Sequence, residues 1–292
     1  MRAVGWNEAL RHPSTATHVS LTDLREITTS LWKDLAKACN MHEDVNISVD
    51  FDMSGIPEDE HDGVLAFTKR TFILNNATWK PSVMFDYSGL DIEVHVNPDV
   101  PNGWYIGDGC TTNWRYDLRT VLRHELLHGA GLSSSIRKEN GAYKVGYTPV
   151  GETQCYPNFY DTLLESNGVS IVDGCSYHPS GREVYMAGRK IYAPTEYRKG
   201  SSFSHHREDG LLQWQMRPTQ CRNIGRADYD MLDAMGYDCA YGIMYMSAGQ
   251  KTNPRLDFIG IAGALGMGSR SALLSISIAC LAFLTDSILM HS

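Results

Sequence analysis

The chain has 292 residues, enough for one large domain or two small ones. With 42% hydrophobic and 21% charged residues it falls with globular rather than disordered or fibrous sequences, so a sizeable core is expected. A formal net charge of -8 argues against nucleic acid as the main partner.

Residues 1–18 form an N-terminal segment without the apolar run of a signal peptide. Ser20 or Thr22 opens a helix to about Lys37, with Leu24, Ile27, Leu31 and Leu35 as its apolar stripe. Met41 to Asp62 holds eight carboxylates and no Lys or Arg. It lacks the D-x-D-x-D-G order of a calcium loop and reads as a solvated stretch. Within it Ile47, Val49 and Phe51 alternate with polar residues, as a half-buried strand does. Asp91 to Asn97 repeats that alternation through Ile92, Val94 and Val96, which leaves His95 exposed on the opposite face.

After a loop rich in Gly, Pro and Asn comes the stretch Asp117 to Ser135. Leu118, Val121, Leu122 and Leu126 recur at helical spacing, and Asp117 is placed to cap the helix. Within the same helix stands His124-Glu125-Leu126-Leu127-His128. Residues four apart on a helix sit on one face, about 6 Å apart along the axis. Two imidazoles so placed can share one zinc ion, and the glutamate beside them can serve as general base. A surface or core histidine pair with no ligand is the plainer explanation of the same five residues. Gly131, three residues after His128, adds to the metal reading, because glycine lets the chain leave the helix with positive φ and turn beneath an ion.

Zinc needs a third protein ligand. Ser134, three residues after the glycine, is a poor one. The ligand is therefore expected from farther along the chain. His205 and His206 follow small residues and a glycine, and His178 beside Pro179 is a third candidate; the residues alone do not choose among them. Most other histidines stand singly in polar stretches. Tyr160 to Glu165 reads as a short helix, Val169 to Val172 and Glu183 to Met186 as strands, and Ala227 to Tyr237 as a helix ended by Gly236.

Six cysteines lie in the body and Cys280 in an apolar tail. Without a C-x-x-C pair they read as three disulfides, and 155–175, 221–239 and 39–110 is the pairing expected from proximity. Sequons at Asn46 and Asn76 fit an exported protein. Beyond Ala240 a small-residue triplet, a polar spacer and an apolar run from Phe258 follow. That order suits a lipid-anchor signal, with a retained transmembrane helix as the rival. The chain thus divides into 1–18, a catalytic subdomain 19–132, a second subdomain 133–240, and a spacer and hydrophobic tail 241–292. Its expected location is secreted or at the cell surface, attached to a membrane through the tail.

The H-E-x-x-H-x-x-G run from His124 to Gly131 resembles the metzincin signature, and the distant histidine resembles the leishmanolysin family in particular. Members of that family insert a subdomain before a Ser-His segment, with a methionine eleven residues later and a proline two beyond. Here Ser204-His205, Met216 and Pro218 stand at that spacing, and Asp230 to Tyr237 is similar to the helix that follows. The resemblance spans roughly Asp91 to Tyr237. It implies an α+β, metzincin-like fold: a twisted mixed sheet with the active-site helix, then an irregular disulfide-bearing subdomain. It further implies Zn2+ on His124, His128 and His205, Glu125 as catalytic base, Gly131 as the structural turn and Met216 as the Met-turn floor. The activity implied is hydrolysis of peptide bonds in protein or peptide substrates by a zinc-bound water. Two alternatives stand beside it: a catalytically silent adhesion or binding module on the same fold, and a zinc site completed by Glu152 or Glu165.

Overall fold

Why the helix carrying His124 and His128 sits where it does follows from the elements on either side of it. The computed structural model describes residues 2–3, 19–41, 44–54, 56, 63–70, 72–74, 81–84, 90–107, 109–110, 114–148, 153–178 and 183–239. The chain separates into two units, Met1–Gly249 and Gln250–Ser292, and every described residue belongs to the first.

Helix α1 (Leu21–Ala38) starts at Ser20, whose Oγ accepts the Asp23 N–H at 3.1 Å while the Asp23 carboxylate accepts the Ser20 N–H at 3.2 Å. This reciprocal cap satisfies two backbone donors that a helix start leaves open. The stripe Leu24, Ile27, Leu31 and Leu35 is buried, with Trp32 beside it. It packs against helix α2 (Leu118–Gly129) and the strand Ile47–Asp50.

A mixed three-stranded sheet underlies both helices. Ile92–Val96 is central, parallel to Ile47–Asp50 and antiparallel to Ala66–Arg70. Ile92, Val94 and Val96 are buried on the helix side, as the alternation requires. Ala66–Arg70 is the outer strand of this sheet among the described residues and lies against α2. His95 departs from the expected exposed strand histidine. The antiparallel register sets it opposite Phe67, and the two rings stack at 4.6 Å. Its side chain is only 12% exposed, with Asp52 and Glu93 at 3.7 and 3.5 Å.

After α2 the fold is α+β in small pieces. Hairpins at Arg137–Glu139/Ala142–Lys144 and Val172–Asp173/Ser176–Tyr177 flank helix α3 (Phe159–Thr162). A four-stranded sheet joins Val169–Ser170, Glu165–Ser166, Val184–Met186 and Arg189–Ile191 in that order. The single strand expected over Val169 to Val172 is broken at Ile171. That residue is fully buried, donating its N–H to Leu164 O and accepting from His178 N. Helix α4 (Arg226–Ala234) closes the described chain, and Gly236 beyond it has φ +88°.

Three disulfides form, and two differ from the expected pairing. Cys155–Cys175 is as expected; the others are Cys39–Cys239 and Cys110–Cys221. Proximity in sequence was the wrong guide, because the end of α1 meets the chain leaving α4, across 200 residues. Closing so long a loop constrains the unfolded chain strongly. Replacing both Cys39 and Cys239 by alanine is expected to lower stability by about 2–5 kcal/mol, read from denaturant midpoints of full-length protein.

Among the described residues no helix is long and apolar enough to cross a membrane. The tail, Asn76, Glu152, His12, His18, His42, His61 and His291 lie outside those residues.

Candidate metal centre

Helix α2 is held at its start by Asp117, whose Oδ1 accepts the Thr120 N–H at 2.6 Å. Its apolar side, Leu118, Val121, Leu122 and Leu126, is fully buried, which fixes the rotation of the helix. With the rotation fixed, His124, Glu125 and His128 follow on the adjoining flank of the helix, and all three are buried as well. At the far end Gly131 adopts φ +112°, a conformation that costs a side-chain-bearing residue dearly. The reversal brings the Leu132 carbonyl back over the helix, where it accepts from His128 Nδ1 at 2.7 Å.

The third imidazole arrives on the loop Ser201–His205. Tyr192 N donates to His205 O at 2.6 Å and Phe203 N to Tyr192 O at 2.9 Å, which ties the loop to the strand region before it. Tyr160 Oη donates to Phe203 O at 2.8 Å. Ser134, where the commoner third ligand would stand, instead donates its N–H to Ser204 Oγ at 3.0 Å and its hydroxyl to Asp161 at 2.5 Å. Ser134 thus anchors the loop that carries His205. Asp161 is buried and also accepts from Ser135; burial pushes its carboxyl up to about 6, while those hydroxyl and amide donors pull the other way.

The Nε2 atoms of His124, His128 and His205 form a nearly equilateral triangle with edges of 3.0, 3.1 and 3.2 Å. Each opposite nitrogen, Nδ1, faces a backbone carbonyl: Leu211 O at 2.6 Å, Leu132 O at 2.7 Å and Ser201 O at 2.8 Å. A carbonyl only accepts, so each Nδ1 carries the proton and each neutral ring turns a lone pair inward. Three lone pairs at this separation repel unless a cation sits among them. A tetrahedral ion with Zn–N bonds of about 2.0–2.1 Å holds its nitrogens about 3.3–3.4 Å apart. The triangle matches that spacing to within a few tenths of an ångström, so the residues present fit a metal ion. Among the described residues this is the group of three metal-binding side chains close enough to share one.

Burial holds the His124 and His205 rings well below their ordinary pKa, with neighbouring imidazoles adding to it, and lowers His128 as well. Below about pH 6.5 the unfolded chain therefore binds more protons than the folded one, and stability drops as the pH is lowered. Asp161 acts with the opposite sign, but only below about pH 6, where the folded chain keeps a proton the unfolded one has released. Chelator-treated protein is expected to melt at a lower temperature at pH 6 than at pH 7.5; an unchanged midpoint would contradict three buried neutral imidazoles.

Glu125 is 1% exposed, yet it lines a cleft of about 310 Å³ together with His128, Phe67, Thr68, Tyr197 and Lys199. Thr68 Oγ1, on the edge strand, lies 2.9 Å from Glu125 Oε2 and 3.0 Å from the Glu125 carbonyl. Its one proton can serve either acceptor, so the carboxylate has a donor within reach across the cleft floor.

Among the other residues read from the sequence, Met216 is fully buried in the short strand Gln215–Met216. His206 faces away from the triangle and meets Asp228 at 2.8 Å. His178 is exposed, and Glu165 lies in the strand Glu165–Ser166 away from the cluster. Thr68, Asp161 and Asp228 carry no motif that could have marked them beforehand. No protein-family model, curated protein or solved structure matches the chain.

Proposed function

We propose that the chain is a zinc-dependent endopeptidase of metzincin type, similar in plan to the leishmanolysin family. The observation that carries this reading is the triangle of inward lone pairs on His124, His128 and His205 beside a buried glutamate at the floor of a cleft. In this reading the three imidazoles hold the ion, whose double charge they leave intact. Bound there, zinc supplies Lewis acidity that makes water a nucleophile near neutral pH and polarises a peptide carbonyl. Glu125 takes the proton of the attacking water and delivers it to the leaving amine. Met216 packs beneath the ligands as an apolar floor. Ala66–Arg70, outermost in its sheet among the described residues, lines the cleft through Ala66, Phe67, Thr68 and Lys69, which favours protein substrates that can lie along it as a strand. Three disulfides support an oxidising compartment, in keeping with a secreted or surface protein.

The test is cleavage of an unfolded protein substrate by full-length chain, first freed of metal with chelator and then reloaded with zinc. Internal cleavage that appears only after reloading is expected. A folded, zinc-loaded chain that cuts nothing would leave the silent binding module standing in its place.

Thr68 gives a graded prediction. Hydrogen bonds to charged groups contribute about 1.5–3 kcal/mol, so Thr68→Val is expected to lower kcat by roughly 10–100-fold. Zinc content should not change, and Thr68→Ser should recover most of the rate. Equal kcat in the Val and Ser variants would separate Thr68 from the carboxylate's work.

A further inference from the structure

The buried carboxylate of Asp228 is an outlier in its surroundings, because it is 0% exposed and accepts four hydrogen bonds. Oδ1 takes His206 Nε2 at 2.8 Å and Leu212 N at 2.9 Å; Oδ2 takes Leu211 N at 2.8 Å and Gly225 N at 2.7 Å. A carboxylate offers about four lone-pair positions, so this one is saturated.

Two of those bonds lead to the triangle. The N–H of Leu212 and the C=O of Leu211 belong to one rigid peptide plane. Its N–H end is fixed on Asp228, and its C=O end accepts from His124 Nδ1 at 2.6 Å. That carbonyl decides which His124 nitrogen is protonated and where the ring points. The bond from His206 holds the residue next to His205, so Asp228 reaches the first and third imidazoles from one point. Gly210 fills the remaining space: a Cβ there would come within 2.8 Å of both Asp228 Oδ2 and His206 Cε1.

We infer that Asp228, with His206 and the Gly210–Leu212 turn, is a positioning device that sets the metal affinity of the three-histidine site. The inference rests on the zinc reading above. Asp228 touches neither ion nor substrate; it acts through the Leu211–Leu212 peptide and through His206. Asp228→Asn turns two accepting positions into donors that face other N–H groups, so at least one of the four bonds is lost whichever way the amide points.

The experiment measures zinc affinity of full-length protein by competition with a chromophoric chelator. It also records the visible spectrum of the cobalt-substituted site, which reads coordination geometry independently of activity. Asp228→Asn is expected to weaken zinc binding by about 10–100-fold, the usual cost of removing a group that orients a metal ligand, and to alter the cobalt bands. Gly210→Ala, which removes no hydrogen-bonding group, is expected to shift both readouts in the same direction, and it decides the matter should Asp228→Asn fail to fold. Wild-type affinity and cobalt spectrum in a folded variant, with only a lowered apo melting temperature, would overturn the positioning role and leave the zinc reading intact. A wild-type chain that binds no zinc would overturn both.

Discussion

His205→Ala is expected to lose zinc affinity by on the order of 10²–10³-fold while the chain still folds. The magnitude follows from sharing the roughly 10–16 kcal/mol of a four-ligand zinc site among its ligands, which gives about 2.5–4 kcal/mol apiece. The fold should survive because removing one of three converging lone pairs relieves the repulsion that the metal-free cluster carries, which offsets part of the lost packing at a residue 1% exposed. His178→Ala, at an exposed position, is the control and should bind zinc as wild type does. Affinity is read by chelator competition and folding by circular dichroism. A folded His205→Ala chain with unchanged affinity would reduce His205 to a buried core histidine that happens to face two others. The prediction is sharp because an ordinary core histidine finds a donor or acceptor for each ring nitrogen, whereas these three rings offer one another only acceptors.

How far the sequence reading reached depended on the range of the interaction behind each feature. Helices α1, α2 and α4 were legible because a periodic apolar stripe lies within one short window, with a capping Ser20 or Asp117 before the first two and Gly131 or Gly236 after the last two. The central strand was legible for the same reason, through the alternation of Ile92, Val94 and Val96. What sets His95 apart is not local: its environment comes from Phe67 on a neighbouring strand and Asp52 beyond the sheet. The disulfides failed similarly, since no local signal tells Cys39 that Cys239 will be its neighbour. The candidate centre shows both limits at once. His124 and His128 are one helical turn apart and could be named from spacing. His205 and His206 are adjacent on an irregular loop and turn opposite ways, one toward the helix and the other toward Asp228, 22 residues on. No periodicity governs such a loop, so only a resemblance could favour one over the other. Thr68 is farther from any sequence signal, being 57 residues before the glutamate it meets.

Glu125→Gln is the second large effect expected. Positioned acid–base help is typically worth about 10²–10⁴-fold, so hydrolysis of a peptide substrate should fall by at least that range's lower end, with zinc stoichiometry unchanged. Glutamine keeps the length and one accepting oxygen for Thr68 Oγ1, so the loss isolates the carboxylate's ability to take a proton rather than its packing. Uniform weakening of substrate binding would raise KM and spare kcat; loss of the base should lower kcat and kcat/KM together. The two cleft variants then rank themselves: Thr68→Val, which removes a hydrogen bond to the base, must cost less than Glu125→Gln, which removes the base. If the order were reversed, the hydroxyl rather than the carboxylate would be the group nearest the chemistry. If Glu125→Gln were fully active with zinc bound, proton transfer would have to be assigned elsewhere. Within the described cleft lining, the charged side chains beyond Glu125 are Lys69 and Lys199, and His128 belongs to the three-histidine group that could hold a metal ion. Glu125 carries the one carboxylate of that described lining, so it is the group on which the proposed hydrolysis would depend.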